Sequence, residues 1–124
     1  MLTHRRIAVV GSREVRPESY AQLKSIIDSY IVTDEDIIVS GGAVGVDSMA
    51  QRYAKENGYD ILIHYPKYKK FGRPATFIRN EKIVRSSDLV IAFYRKGHFQ
   101  EGGTANSASW ARKLNIELHE YEEE

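Results

Sequence analysis

The sequence predicts an α/β fold, a three-layer sandwich around a mainly parallel five-stranded sheet, as one domain over residues 1–124. Three observations predict it. Short aliphatic and β-branched runs alternate with segments of helical periodicity along the whole chain. The runs are continuous, as in strands buried on both faces, and not apolar-polar alternations. Glycine-rich turns follow strands and open helices, where parallel sheets of this kind bind ligands.

The strand runs are residues 7–10, 37–39, 61–64, 89–93 and 116–118. The first helix opens at Pro17-Glu18, since a proline at the first helical position forfeits no hydrogen bond. Its apolar stripe is Tyr20, Leu23, Ile26, Ile27 and Tyr30. The second carries Val46, Met49, Ala50, Tyr53 and Ala54 and stops at Asn57-Gly58, a C-cap signal. The third follows Pro74 and covers residues 75–85. The fourth covers residues 104–114, with Ala108, Ala111 and Leu114 facing inward. Residues 65–74 form the one long irregular segment, rich in Lys, Tyr and Phe, and read as a lid or binding loop.

Composition narrows the class. With 42% hydrophobic and 28% charged residues, the chain has the make-up of a soluble globular protein, and a cytoplasmic setting is expected. No apolar run approaches the ~20 residues needed to cross a bilayer, and the four-residue run after Arg5-Arg6 is short for a signal peptide. With no cysteine there is neither a disulfide nor a thiolate metal site. His4, His64, His98 and His119 are scattered, so no metal site and no cofactor are expected. The net charge is only +1, but residues 67–85 hold seven basic residues against Glu81 alone, which suits an anionic ligand. The glutamate-rich residues 120–124 read as a solvated, frayed end.

Three turns carry the candidate chemistry. Gly11-Ser12-Arg13 offers backbone N–H groups, a hydroxyl and a guanidinium to a phosphate. It lacks the full G-x-G-x-x-G fingerprint and the P-loop lysine. Residues 40–47, Ser-Gly-Gly-Ala-Val-Gly-Val-Asp, join a strand to a helix. Gly41 and Gly42 there admit close approach of a bound group, and the helix start favours an anion. Asp47 suits either ribose hydroxyls or a capping role. Glu101-Gly102-Gly103-Thr104 opens the last helix, with Thr104 as N-cap or phosphate ligand and Glu101 the acid beside it. Arg73, Arg79 and Asn80 lie in the basic segment, the arginines to neutralise charge and Asn80 to read a base or sugar edge.

Taken in order, Val9-Val10-Gly11-Ser12-Arg13, residues 40–47, Arg79-Asn80, Asp88-Leu89-Val90-Ile91-Ala92-Phe93 and Gly102-Gly103-Thr104 resemble the SLOG superfamily, over roughly residues 6–118. Within it the pattern is most similar to the YspA/YpsA-related group. The resemblance implies a Rossmann-like fold and a pocket for nucleotides or nucleotide-derived ligands, and is compatible with a homo-oligomer. Distant similarity to the LONELY GUY-type phosphoribohydrolases places their helix arginine at Arg79. Their P-G-G-x-G-T-x-x-E motif is matched only in part, and its glutamate falls on Ser107, which cannot serve as a carboxylate base. The turn of residues 40–47 also resembles that of the DNA-processing protein A family, which binds single-stranded DNA.

The expected function is binding of a nucleotide or nucleotide-derived small molecule. Gly11, Ser12, Gly41, Gly42, Gly102, Gly103 and Thr104 contact phosphate in this reading. Arg13 and Arg79 neutralise it, Arg73 closes over it, and Asp47 or Asn80 reads sugar or base. One alternative is an N-glycosidic-bond hydrolase with Arg79 and Glu101, or Asp47, as catalytic residues. The other is a single-stranded nucleic-acid binder, with Tyr68 and Phe71 interleaved among the bases of residues 67–73 as a stacking surface.

Overall fold

The structure is a computed structural model and describes residues 5–124. His4 and most of the amino-terminal stretch weighed as a signal sequence lie outside the described residues. Five strands, β1 (Arg6–Gly11), β2 (Ile37–Ser40), β3 (Asp60–Ile63), β4 (Leu89–Tyr94) and β5 (Glu117–Glu122), form one sheet in the order β3-β2-β1-β4-β5. Every pairing is parallel. The helices are α1 (Tyr20–Tyr30), α2 (Val46–Asn57), the single turn α3 (Tyr68–Phe71), α4 (Ala75–Arg85) and α5 (Gly102–Lys113). Pro17–Ser19 form a 3₁₀ turn leading into α1.

The unbroken apolar runs give the layers directly. Side chains alternate across a strand, so each strand supplies both faces of the sheet. Ile7, Val9, Ile38, Leu89, Ile91 and Phe93 pack on one face with Leu23 and Ile27 of α1 and Val46, Ala50 and Tyr53 of α2. Ala8, Val10, Val39, Val90, Ala92 and Tyr94 pack on the other with Ile83 and Val84 of α4 and Ala111 of α5. The small residues Ala108 and Ala111 let α5 lie close against the sheet, and both are fully buried. Helix α2 ends at Gly58, whose left-handed conformation supplies the expected C-cap.

Two local expectations are corrected. The last strand runs to Glu122, and residues 120–124 are not a frayed end. Glu123 is 4% exposed. It accepts hydrogen bonds from Ser19 Oγ at 2.6 Å, Arg16 N–H at 2.7 Å and Lys96 N–H at 3.2 Å. Glu120 accepts from the Tyr94 hydroxyl at 2.7 Å and from Arg112. These glutamates are held by donors distant in sequence, which outweighs the usual fraying of a charged terminus. The second correction is in residues 65–74, where Lys67 to Gly72 close into the one-turn helix α3.

Strand order reverses between β1 and β4: the chain moves outward through β2 and β3 on one side, then through β4 and β5 on the other. Connections at the carboxyl ends of β1 and β4 therefore leave in opposite directions and open a crevice, where doubly wound sheets place ligands.

Candidate functional site

A cleft of about 530 Å³ occupies that crevice. Gly11, Ser12 and Arg13 enter it from β1, and Ala43 and Asp47 from the turn after β2. Thr76, Phe77, Arg79, Asn80 and Ile83 come from α4. Arg95, His98, Glu101, Gly102, Gly103, Thr104 and Ser107 complete the wall from the loop after β4 and the start of α5.

The first turn is built for close packing. A Cβ on Gly11 would stand 2.5 Å from both the Phe93 carbonyl oxygen and Val46 Cγ2, so α2 could not approach the sheet with any larger residue there. Ser12 then locks three elements. Its N–H donates to the Phe93 carbonyl at 3.2 Å and its carbonyl accepts the Val46 N–H at 3.1 Å. Its hydroxyl accepts the Arg95 N–H at 2.8 Å, which leaves the hydroxyl proton for an acceptor in the cleft.

The second turn differs from expectation in its role. Gly41 and Gly42 are not part of the cleft wall. The turn's donors are used internally: the Gly42 N–H meets Ser40 Oγ at 3.4 Å and the Ala43 N–H meets Asp47 Oδ2 at 3.0 Å. Asp47 therefore fastens the turn. What Gly41 provides is space. A Cβ there would lie 2.6 Å from Arg79 Nη1, and Nη1 donates to the Gly41 carbonyl. Gly42 gives room to the Tyr65 ring in the same way.

Arg79 is 8% exposed. Its Nε donates to Asn80 Oδ1 at 3.0 Å, and Nη1 reaches the His64 carbonyl at 3.5 Å as well as that of Gly41. Asn80 Nδ2 in turn donates to the Gly103 carbonyl at 3.4 Å and to Asn106 Oδ1 at 3.2 Å. This chain of contacts fixes α4 to the turn after β2 and to the start of α5. Burial lowers the Arg79 pKa and raises that of Asp47. The Arg79 charge and the Ala43 N–H oppose the shift of Asp47, and the Asp47 charge opposes that of Arg79.

Helix α5 begins with an extended Glu101 whose side chain makes no cap hydrogen bond. The N–H groups of Gly102, Gly103 and Thr104 are thus uncapped at the cleft wall, with the positive end of the helix dipole behind them. Thr104 stands inside the first turn rather than at the N-cap. Glu101 is exposed and its carboxylate meets His98 Nδ1 at 2.9 Å. Arg95 bridges to Glu14 at 3.1 Å across the mouth.

Of the residues chosen from sequence, Arg73 also lies outside the wall, exposed beyond the end of α3. The residues missed include Thr76, Phe77 and Ile83. Their spacing from Asn80 puts them on its face of the helix, so the signal was present. Arg95 and His98 sit on an irregular loop that carries no periodicity.

A family model described as DNA recombination-mediator protein A matches residues 1–70. Solved structures share the architecture. DNA processing protein A from Helicobacter pylori, described for its single-stranded DNA binding mode, is 23% identical with a TM-score of 0.66, over 94% of this chain and 64% of that one. TM1055, a structural-genomics target, is 17% identical with a TM-score of 0.66, over 92% of this chain and 72% of that one. DNA processing protein A from Streptococcus pneumoniae is 18% identical with a TM-score of 0.60, over 94% of this chain and 58% of that one. These likenesses establish the fold, and the chain spans less than two thirds of either DNA processing protein. No curated protein matches the sequence.

Proposed function

The chain belongs to the DNA recombination-mediator protein A family, and from that premise we propose that it binds a nucleotide or nucleotide-derived small molecule in the cleft between β1 and β4. One observation carries the reading. The turns after β1 and β4 and the buried face of α4 converge on a single cleft of about 530 Å³, a volume typical of small-ligand sites. The uncapped N–H groups of Gly102, Gly103 and Thr104 take a phosphate, with Ser12 and Arg13 on the facing turn. Asn80, held by Gly103 and Asn106, and Phe77 line the wall left for sugar and base.

The test is a melting series with nucleoside monophosphates, nucleotide sugars and ADP-ribose derivatives. A ligand at a hundred times its Kd stabilises the fold by about 2.7 kcal/mol, an upward shift on the order of 10 °C. The same mixtures are assayed for free base. Both candidate acids are engaged elsewhere, Glu101 with His98 and Asp47 with Ala43. No base release is therefore expected; release abolished by Arg79→Ala would establish the hydrolase reading instead.

A second reading is favoured by a surface. Tyr65, Tyr68 and Phe77 are each more than half exposed. Lys67, Lys69, Lys70 and Arg73 are exposed beside them. Aromatic faces among cations suit single-stranded nucleic acid, the ligand named for the Helicobacter pylori protein. Salt-sensitive oligonucleotide binding with no melting shift from any small ligand would select this reading over the first.

A further inference from the structure

Arg79 is a buried cation with no carboxylate in direct contact among the described residues. No described carboxylate makes an ion pair with it; Asp47 acts on it only through longer-range attraction. Its Nε and Nη1 are occupied by Asn80, Gly41 and His64, and its Nη2 meets no acceptor among the described residues. Thr104 and Ser107, on α5, are 7% and 2% exposed. Both line the same cleft, and neither hydroxyl is bonded to a described group. Arg79 Nη2 and the two hydroxyls are therefore three unbonded donors open to the cleft rather than sealed from it, since Arg5 Nε is the one fully buried side-chain polar atom without a partner among the described residues. The guanidinium is separated from the start of α5 by one side chain, that of Asn80, bonded to Arg79 on one side and to Gly103 on the other.

A desolvated guanidinium is costly unless an anion meets it. The N–H groups at the start of α5 already make one anion position, and Arg79 makes another beside it. We propose that the cleft takes two anionic groups of one ligand. One phosphate sits on the N–H groups of Gly102, Gly103 and Thr104. The second sits against Arg79 Nη2 and the hydroxyls of Thr104 and Ser107. The ligand class is a nucleotide chain or unit with two phosphates, joined as a diphosphate or carried on successive nucleotides. The inference rests on the nucleotide reading of this cleft and adds the second phosphate to it.

Calorimetric titration compares a nucleoside 5′-monophosphate, the corresponding 5′-diphosphate and a 5′-phosphorylated dinucleotide, with orthophosphate and pyrophosphate as base-free probes. The wild-type protein is expected to bind at least one of the two-phosphate nucleotides about tenfold or more tightly than the monophosphate. Which one is preferred distinguishes a diphosphate from a strand. The preference is expected to fall to about one in Arg79→Gln, and to shrink in the double variant Thr104→Val with Ser107→Ala, which keeps the Arg79 contacts to Gly41 and Asn80. If Arg79→Gln does not fold, the double variant decides. Equal affinity for one and two phosphates in the wild type, or a preference retained in the variants, overturns the second phosphate position and leaves the nucleotide reading standing. Absence of binding by every nucleotide overturns both.

Discussion

At Gly41 an added Cβ would stand 2.6 Å from Arg79 Nη1 and 2.9 Å from Asp47 Oδ2. Backbone and side chain are committed to one arrangement at this point, so a methyl group has nowhere to go without moving the guanidinium. Gly41→Ala is expected to destabilise the fold by about 1–3 kcal/mol, read by urea denaturation. It is also expected to weaken nucleotide binding, because Arg79 would be displaced along the cleft wall. The sequence reads Gly41 as a point of close approach, and the group that stands there in the structure is the Arg79 side chain. A strand-glycine-helix pattern signals that something comes near the backbone; it does not distinguish a ligand from an arginine four elements away in the chain. At Gly102 and Gly103 no protein group comes close, and an added Cβ would meet nothing within 4 Å.

Among the elements, β5 departs most from its sequence signal. The apolar strands were legible because each is a run of aliphatic residues, buried on both faces in β4 and half-buried in the edge strand β3. The segment Glu-Leu-His-Glu-Tyr-Glu has no such run and lies at the sheet edge beside β4. Its Glu120 is held by Tyr94 and Arg112, and Glu123, just beyond the strand, by Ser19, Arg16 and Lys96. Apart from Arg112, no local window of sequence contains those partners. Burial alone would raise the Glu123 pKa, but the Ser19 hydroxyl, the Arg16 and Lys96 N–H groups and the Arg16 charge outweigh it and hold the carboxyl below its usual range. The sign follows from the depressed folded-state value. Glu123 contributes stability above the unfolded-state pKa of about 4.3, and that contribution is lost as pH falls through the folded-state value. Glu123→Ala leaves three donors without their acceptor and is expected to cost about 1–3 kcal/mol at pH 7. Denaturation curves of variant and wild type should converge as the pH is taken below 4. A difference that persists undiminished in acid would show that Glu123 acts through packing instead.

For the molecule as a whole, strand order decides where function can reside. With β1 and β4 adjacent at the reversal, the turns after both strands face one crevice, and α4 closes it from the side. The alternation of strands and helices foretold this architecture and the turns that would meet, because it is a consequence of parallel connectivity. It could not foretell the loop after β4, which brings Arg95 and His98 to the mouth, nor that Arg73 would stay outside. The central claim is that one nucleotide binds at this crevice, with its phosphate on the start of α5. The most direct measurement is a ¹⁵N–¹H titration of the protein with a nucleoside 5′-monophosphate. The amide signals of Ser12, Gly102, Gly103 and Thr104 are expected to shift together and saturably. Shifts confined to residues 67–73, or no saturable shift at the start of α5, would contradict the claim.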